Sequence, residues 1–369
     1  MRIAFIIPHF GIGGAERVAS LLCNFWITQG HSVCAITFER VGAASSYPLD
    51  EKILVHQTQS FNTHQNPLSR IVTNARRISR IRSSLEEFRP DVVLAFMTEA
   101  NVVALWSAIG LGIPVVVSER NQPDRPGLGF WRRYARRLSY PMAAGVVVQT
   151  KPIARWAREQ FRIPIHILPN PVSRLSSKVG RHSSKRVVAV GRLVRQKGFD
   201  LLIDSFAKIA ARHPDWTLEI YGEGSERPAL QAQVARHGCI ERISLPGICG
   251  HIGDVYANAG LFVLPSRFEG YPNVLVEALA AGCPVIASNC PGASGQILGG
   301  GRYGMLVESE NVDALAVALD KMLCSETSRA NFASQATMAV AALDTPIVGS
   351  QWLDLLTSIA GEASRKGQV

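Results

Sequence analysis

Leu261-Phe262-Val263-Leu264-Pro265-Ser266-Arg267-Phe268-Glu269-Gly270-Tyr271-Pro272-Asn273-Val274-Leu275-Val276-Glu277 reads as strand, loop and helix in one run. Leu261–Pro265 is short and wholly apolar, the pattern of a buried strand. Apolar residues then continue at helical spacing through Ala278-Leu279-Ala280-Ala281 and stop at Gly282. Pro272 suits a first helical position, where a missing N–H costs little. One acid, Glu269, therefore sits in the strand-to-helix loop, and a second, Glu277, in the first turns of the helix. Free N–H groups at such a helix start favour an anion, and the macrodipole adds to this. Paired carboxylates beside an anion site suit a ligand with both hydroxyls and phosphates, such as a nucleotide sugar.

The same strand–loop–helix rhythm extends in both directions and predicts α/β architecture with parallel sheets. Residues 2–7 form a first strand. It runs into Gly11-Ile12-Gly13-Gly14-Ala15-Glu16 and a helix to about residue 29. Glu16 stands where the last glycine of a G-x-G-x-x-G fingerprint would be, which disfavours a plain dinucleotide site. Residues 32–38 form a second strand, and 40–66 read as irregular. Strands at 91–96 and 113–117 follow, the latter ending in Ser118-Glu119-Arg120-Asn121. Polar residues at the carboxyl end of a parallel strand are site candidates. Ser173–Arg186 is polar and reads as a linker. The rhythm restarts at Arg186-Val187-Val188-Ala189-Val190, which opens into Gly191-Arg192-Leu193-Val194-Arg195-Gln196-Lys197-Gly198. Arg192 offers fixed bidentate donors and Lys197 a compact charge, a pairing suited to a diphosphate.

At 369 residues the chain has room for two domains, and 47% hydrophobic content supports substantial cores. No apolar run is long enough to span a membrane. The N-terminus lacks the apolar region and cleavage site of a signal peptide. Seven scattered cysteines without a C-x-x-C pair fit reduced thiols in a cytoplasmic protein. No metal-ligand spacing is present. The net charge of +10 is concentrated: residues 1–170 hold 20 Lys and Arg against 11 Asp and Glu, residues 171–369 hold 19 against 18. A basic first half implies an anionic partner. Phe130-Trp131-Arg132-Arg133-Tyr134-Ala135-Arg136-Arg137-Leu138 packs aromatics and arginines into one short helix. Such a helix suits an anionic lipid interface through Trp131, Arg132, Arg133, Arg136 and Arg137. It equally suits a surface helix with its aromatics in the core and its arginines solvated. Its aromatics do not recur in an RNA-binding pattern, so nucleic acid is not expected.

Glu269 and Glu277 with seven residues between them, in their strand, Gly, helix, Gly and Pro-Val context, resemble the donor-site signature of family 4 retaining glycosyltransferases. Gly191-Arg192-Leu193-x-x-x-Lys197-Gly198 resembles the same family's diphosphate-binding motif, and the resemblance spans nearly the whole chain. It implies a GT-B fold, with two doubly wound Rossmann-like domains facing across a cleft. Residues 1–170 would bind the acceptor, joined by a C-terminal helix at about 350–365, and residues 171–349 would bind the donor. The implied catalytic residues are Arg192, Lys197 and Glu269. The implied donor-binding residues are Gly13, Gly14, Gly191, Gly270, Tyr271, Pro272, Asn273 and Glu277. Many relatives carry a histidine about where Arg120 falls, so Glu119 and Arg120 are candidates for sugar or acceptor contact.

The resemblance further implies transfer of a hexosyl or N-acetylhexosaminyl group, with retention, from a nucleoside diphosphate sugar to a glycan hydroxyl. UDP is the favoured nucleotide, and neither metal nor cofactor is called for. The glycine loop, the Arg120 strand end and the basic helix resemble bacterial enzymes that extend polyprenyl diphosphate-linked glycans. Such an enzyme would be cytoplasmic, peripheral on the inner membrane face. Two other readings stand beside it, a nucleotide-sugar epimerase of the same fold and a non-catalytic lipid- or glycan-binding subunit.

Overall fold

The computed structural model describes residues 1–60, 67–120, 130–173 and 184–366. Asn121 and most of the Ser173–Arg186 stretch lie outside them. The chain divides into two compact units, Met1–Pro171 with Thr345–Val369, and Val172–Asp344.

In the first unit the strands are β1 (Arg2–Ile6), β2 (Ser32–Thr37), β3 (Leu54–Gln57), β4 (Val92–Phe96), β5 (Val115–Ser118), β6 (Gly145–Val148) and β7 (Ile165–Ile167). They pair in the order β3-β2-β1-β4-β5-β6-β7, all parallel. Helices lie on both faces, as continuous apolar strands require. Successive β1 side chains divide between the faces: Ala4 and Ile6 join one core, Ile3, Phe5 and Ile7 the other. The second core also takes Val348, Trp352, Leu356 and Ile359 from the C-terminal helix Thr345–Lys366. That helix packs on Gly14–Thr28, where Trp26 Nε1 donates to Gly349 O at 3.3 Å. A Cβ on Gly349 would meet Phe25 at 2.4 Å, so only glycine permits this approach.

The second unit repeats the plan with β8 (Arg186–Val190), β9 (Thr217–Tyr221), β10 (Ile243–Gly247), β11 (Leu261–Leu264), β12 (Val285–Ser288) and β13 (Met305–Val307). Their order is β10-β9-β8-β11-β12-β13, again parallel. In both units the order reverses beside the first strand. The loops leaving β8 and β11 therefore emerge side by side at the carboxyl edge, the switch point where open α/β sheets bind ligands.

Three local expectations need revision. The irregular stretch 40–66 contains β3, a short edge strand whose Leu54 and Val55 are exposed, so it lacks a buried strand's apolar signature. Helix Glu326–Val340 falls where the sequence pattern assigns no element; its Ala/Ser-rich sequence has little amphipathic contrast, and its clearest local mark is Ser325, whose hydroxyl accepts from Ser328 N. Pro272 caps helix Asn273–Ala280 rather than opening it.

Candidate functional site

The loop Gly191–Gly198 follows β8, and Pro265–Pro272 follows β11. Close backbone packing fixes the first against the second. Gly198 has φ +67°, and a Cβ there would lie 2.1 Å from Pro265 O. Gly292, in the loop after β12, approaches Glu269 O equally closely. Glu269 N donates to Pro291 O at 2.9 Å. Neighbouring loops therefore hold the backbone of Glu269 on both sides.

Its side chain is nearly enclosed. Glu269 Oε1 accepts from Lys197 Nζ and from Ser266 Oγ, each at 2.6 Å. The side chains of Lys197 and Glu269 are 13% and 5% exposed, so this is a largely buried ion pair. Lys197 runs back over the bare face of Gly191, where a Cβ would lie 3.4 Å from its Cε. Cys290 is buried beside the pair; burial first, then the negative charge of Glu269, pushes its thiol up to about 11. Arg192 is exposed, and its guanidinium has no hydrogen bond or ion pair among the described residues.

Gly270, Tyr271, Pro272 and Asn273 carry the loop from Glu269 into the helix start. Glu277 lies one turn further on, 7% exposed, and accepts from Tyr256 OH at 3.2 Å. The structure thus places Gly191, Arg192, Lys197, Glu269, Gly270–Asn273 and Glu277 on two adjacent loops and one helix of the second unit. The arrangement offers an exposed guanidinium, a paired ammonium, two carboxylates and a helix N-terminus.

In the first unit, Gly13 is the extended residue before helix Gly14–Thr28. A Cβ on Gly13 would lie 2.2 Å from Glu16 Oε2, so on that side the space holds the protein's own carboxylate. Glu16 is 5% exposed and lies 3.4 Å from His9 Nδ1. This acid, singled out in the sequence only for breaking a dinucleotide fingerprint, supplies the negative charge that the helix start favours.

Glu119 follows β5 and is 1% exposed. Its carboxylate accepts from Thr98 Oγ1 at 3.0 and 3.2 Å and from Tyr140 OH at 2.8 Å, with Arg136 Nη1 at 3.7 Å. Asn101 Nδ2 donates to Tyr140 OH and to Ser118 O. Burial, then the Glu119 charge, holds the Tyr140 hydroxyl well above its ordinary pKa. Glu119 thus ties β5 to the helices beside it. Arg120 lies over the Phe96 ring, its guanidinium carbon 4.1 Å from the centroid.

The basic helix, Phe130–Ser139, is mixed. Phe130, Trp131, Tyr134 and Leu138 are 65%, 75%, 55% and 55% exposed, so its aromatics do not enter the core. Arg132, Arg133 and Arg137 are exposed too. Arg136 is not available to a membrane: it is 6% exposed, stacked on Trp156 at 4.5 Å and facing Glu119. Its guanidinium is spent on a buried carboxylate, which the even spacing of arginines in the sequence could not reveal.

His213, Asp320 and Cys324 also come together, with His213 far in sequence from the other two, which lie one turn apart on helix Val312–Cys324. Asp320 is already paired with His213 at 2.8 Å and Arg212 at 3.0 Å, an ion-pair cluster past the far end of helix Phe199–Ile209 from the Lys197 loop.

A family model described as Glycosyltransferase Family 4 matches residues 12–174, and one described as Glycosyl transferases group 1 matches residues 174–338. Over 364 residues the chain is 25% identical to a Campylobacter jejuni protein, covering 97% of this chain and 99% of that one. That protein is named GalNAc-alpha-(1->4)-GalNAc-alpha-(1->3)-diNAcBac-PP-undecaprenol alpha-1,4-N-acetyl-D-galactosaminyltransferase. This chain is also 26% identical over 358 residues to the amylovoran biosynthesis glycosyltransferase AmsD of Erwinia amylovora, covering 93% of this chain and 96% of that one. Among solved structures, sucrose-phosphate synthase from Thermosynechococcus elongatus superposes with a TM-score of 0.83 at 17% identity, over 98% of this chain and 99% of that one. Anabaena Alr3699/HepE in complex with UDP gives 0.80 at 20% identity, over 97% and 100%.

Proposed function

The chain belongs to glycosyltransferase family 4 and has the GT-B fold, and from that membership we propose that it moves a hexosyl or N-acetylhexosaminyl group from a UDP-sugar to a hydroxyl of a lipid-linked glycan, with retention at the anomeric carbon. The observation that carries the donor half is the buried Lys197–Glu269 pair beside the exposed Arg192. When the glycosidic bond to the diphosphate breaks, negative charge grows on the departing phosphate oxygens. Arg192 and Lys197 meet that charge, and fixed cations aimed at developing charge lower the barrier. Glu269 and the backbone of Gly270–Asn273 hold the sugar hydroxyls, and Glu277 accepts from the ribose. Two cations and a helix N-terminus supply the positive charge a metal would otherwise bring, so the reaction needs no metal or cofactor.

The acceptor half rests on charge and on relatives. The Campylobacter jejuni relative is named for an undecaprenyl diphosphate-linked glycan, and AmsD for polysaccharide synthesis. Unit one carries the excess of cations. A hollow of about 480 Å³ lined by Lys151, Arg155, Arg158, Glu159 and Ile167 gathers three of these cations at one place. Among the described residues no helix is long and apolar enough to cross a membrane. Instead, helix Phe130–Ser139 sets Trp131 in the acyl boundary with Arg132, Arg133 and Arg137 on anionic headgroups, holding the enzyme peripherally at the inner face. In this reading Gly13, Gly14 and Arg120 serve the sugar or acceptor.

Purified protein is mixed with UDP-, GDP- and ADP-sugars, with and without a polyprenyl diphosphate-linked glycan pool in detergent, and nucleoside diphosphate release is measured. Release from UDP-sugars that rises with the lipid-linked pool is expected. Release that rises equally with free glycans overturns the lipid-linked acceptor, and release from GDP- or ADP-sugars alone overturns the UDP assignment.

A further inference from the structure

Arg267 lies in the loop after β11, two residues before Glu269, and nothing above gives it a role. It is 12% exposed at its side chain and has three acidic or carbonyl partners. Nη1 donates to Arg195 O at 2.7 Å and to Asp200 Oδ1 at 2.8 Å; Nη2 donates to Asp200 Oδ2 at 2.7 Å. Nε donates to Glu310 Oε1 at 3.0 Å, and the backbone N–H donates to Gln196 O at 2.9 Å. Gln196 completes the exchange by donating from Nε2 to Phe268 O at 3.0 Å. Every partner except Glu310 flanks one member of the buried ion pair. Arg195 and Gln196 immediately precede Lys197, Asp200 lies in the first turn of the helix that follows it, and Phe268 precedes Glu269.

We propose that Arg267 is the positioning residue of the donor site, a fork that locks the Lys197 loop to the Glu269 loop and thereby sets where the ammonium and the carboxylate meet the donor. The proposal rests on the reading of Lys197 and Glu269 as donor-binding residues. Arg267 acts through them. The planar guanidinium is needed because Nη1 and Nη2 take both oxygens of the Asp200 carboxylate while Nη1 also reaches Arg195 O. A lysine has the charge but not the fork. The Asp200 carboxyl reflects the clamp: burial pushes it up, but the Arg267 hydrogen bonds and charge outweigh this and leave it below its ordinary value. Correspondingly, the Asp200 bonds raise Arg267. Removing the fork frees two loops to shift, and a misplacement of about 1 Å at a reacting centre costs on the order of 100-fold in rate.

The test compares Arg267→Lys, Arg267→Ala, Asp200→Asn, Glu310→Gln, Lys197→Ala and the double variant Arg267→Ala/Lys197→Ala. Turnover is read as UDP release from a UDP-sugar with the lipid-linked pool, UDP affinity by calorimetry, and folding by thermal melts. Turnover falls roughly 10- to 100-fold in Arg267→Lys and Arg267→Ala, and by less in Asp200→Asn. Glu310→Gln, whose partner bond is at the surface, changes turnover by less than about twofold. The double variant is slower than Lys197→Ala by clearly less than the factor that Arg267→Ala costs alone, because residues that work as one unit are not additive.

A role in stability alone would lower the melting temperature and make the two losses multiply. That outcome, or Arg267→Lys turnover within about threefold of the parent, overturns the proposal. If Arg267→Ala does not fold, Arg267→Lys and Asp200→Asn decide. Full UDP affinity and turnover in Lys197→Ala would sink the donor-site reading and the positioning role with it. Loss in Lys197→Ala but not in Arg267→Lys sinks the positioning role alone.

Discussion

Replacing Glu269 with Gln separates what this residue does for the fold from what it does for the reaction. The amide keeps a carbonyl oxygen, so the bond from Ser266 Oγ survives, and its volume is unchanged. What disappears is the charge 2.6 Å from Lys197 Nζ. Breaking a fully buried pair by removing one partner costs roughly 3–5 kcal/mol. Here the lysine is 13% exposed, water can reach it, and an acceptor remains, so about 1–2 kcal/mol is expected. Denaturant unfolding measures this, with the second unit as the part affected.

The effect on turnover should be larger. A hydrogen bond to a charged group contributes about 1.5–3 kcal/mol, against roughly 0.5–1.5 for a neutral one. Losing the charge at the sugar hydroxyls, together with the displaced ammonium at the phosphate, then lowers turnover about 10- to 100-fold. The assay is initial rate at saturating donor, at a temperature where the variant is folded. Turnover within about threefold of the parent would refute the assignment of Glu269.

Three further outcomes follow from the packing and charges. Trp352→Ala should destabilise the first unit by about 3–5 kcal/mol, although it lies near the chain's end, because the indole is fully buried against Phe96; denaturant unfolding that shows a loss below about 1 kcal/mol would remove the helix from that core. Arg136→Ala should lower the melting temperature, because it removes a buried guanidinium packed on Trp156 and facing Glu119, whereas replacing Arg132, Arg133 and Arg137 together with Ala should leave folding intact and abolish flotation with anionic liposomes; unchanged flotation would dismiss the membrane role. The Arg186 hydrogen bonds hold the Glu219 carboxyl below its ordinary value, so its stabilisation is complete above the normal carboxylate range and is lost as pH falls through the lowered value; acid titration of stability should therefore be shallower in Glu219→Gln, and an identical profile would contradict the pairing.

The fold was readable because each unit repeats one physical rule. A parallel strand covered on both faces must be apolar; β4 and β11 are so throughout, and β1 and β8 are so after an opening arginine. The elements that escaped notice break that rule for stated reasons. Leu54–Gln57 is a half-exposed edge with only one neighbour, β2, and needs no apolar run. Helix Glu326–Val340 buries only a few positions, Arg329, Ala333, Ala336 and Val340 among them, and alanine does not mark a face as leucine does.

The chemistry divides differently. Glycines, acids and cations within one loop form local patterns, so Gly191–Gly198 and Phe268–Glu277 stand out in a linear reading. Residues whose work depends on a partner far along the chain leave no such pattern. Arg136 looked like its neighbours Arg132, Arg133 and Arg137 until Glu119 came to lie beside it. Arg267 was one charge in a motif defined by its acids, and its partner Asp200 lies across the sheet's switch point in the first turn of helix Phe199–Ile209. A sequence motif therefore marks the groups that would touch a ligand, while the groups that aim them become visible only when two loops are brought to the same edge of a sheet.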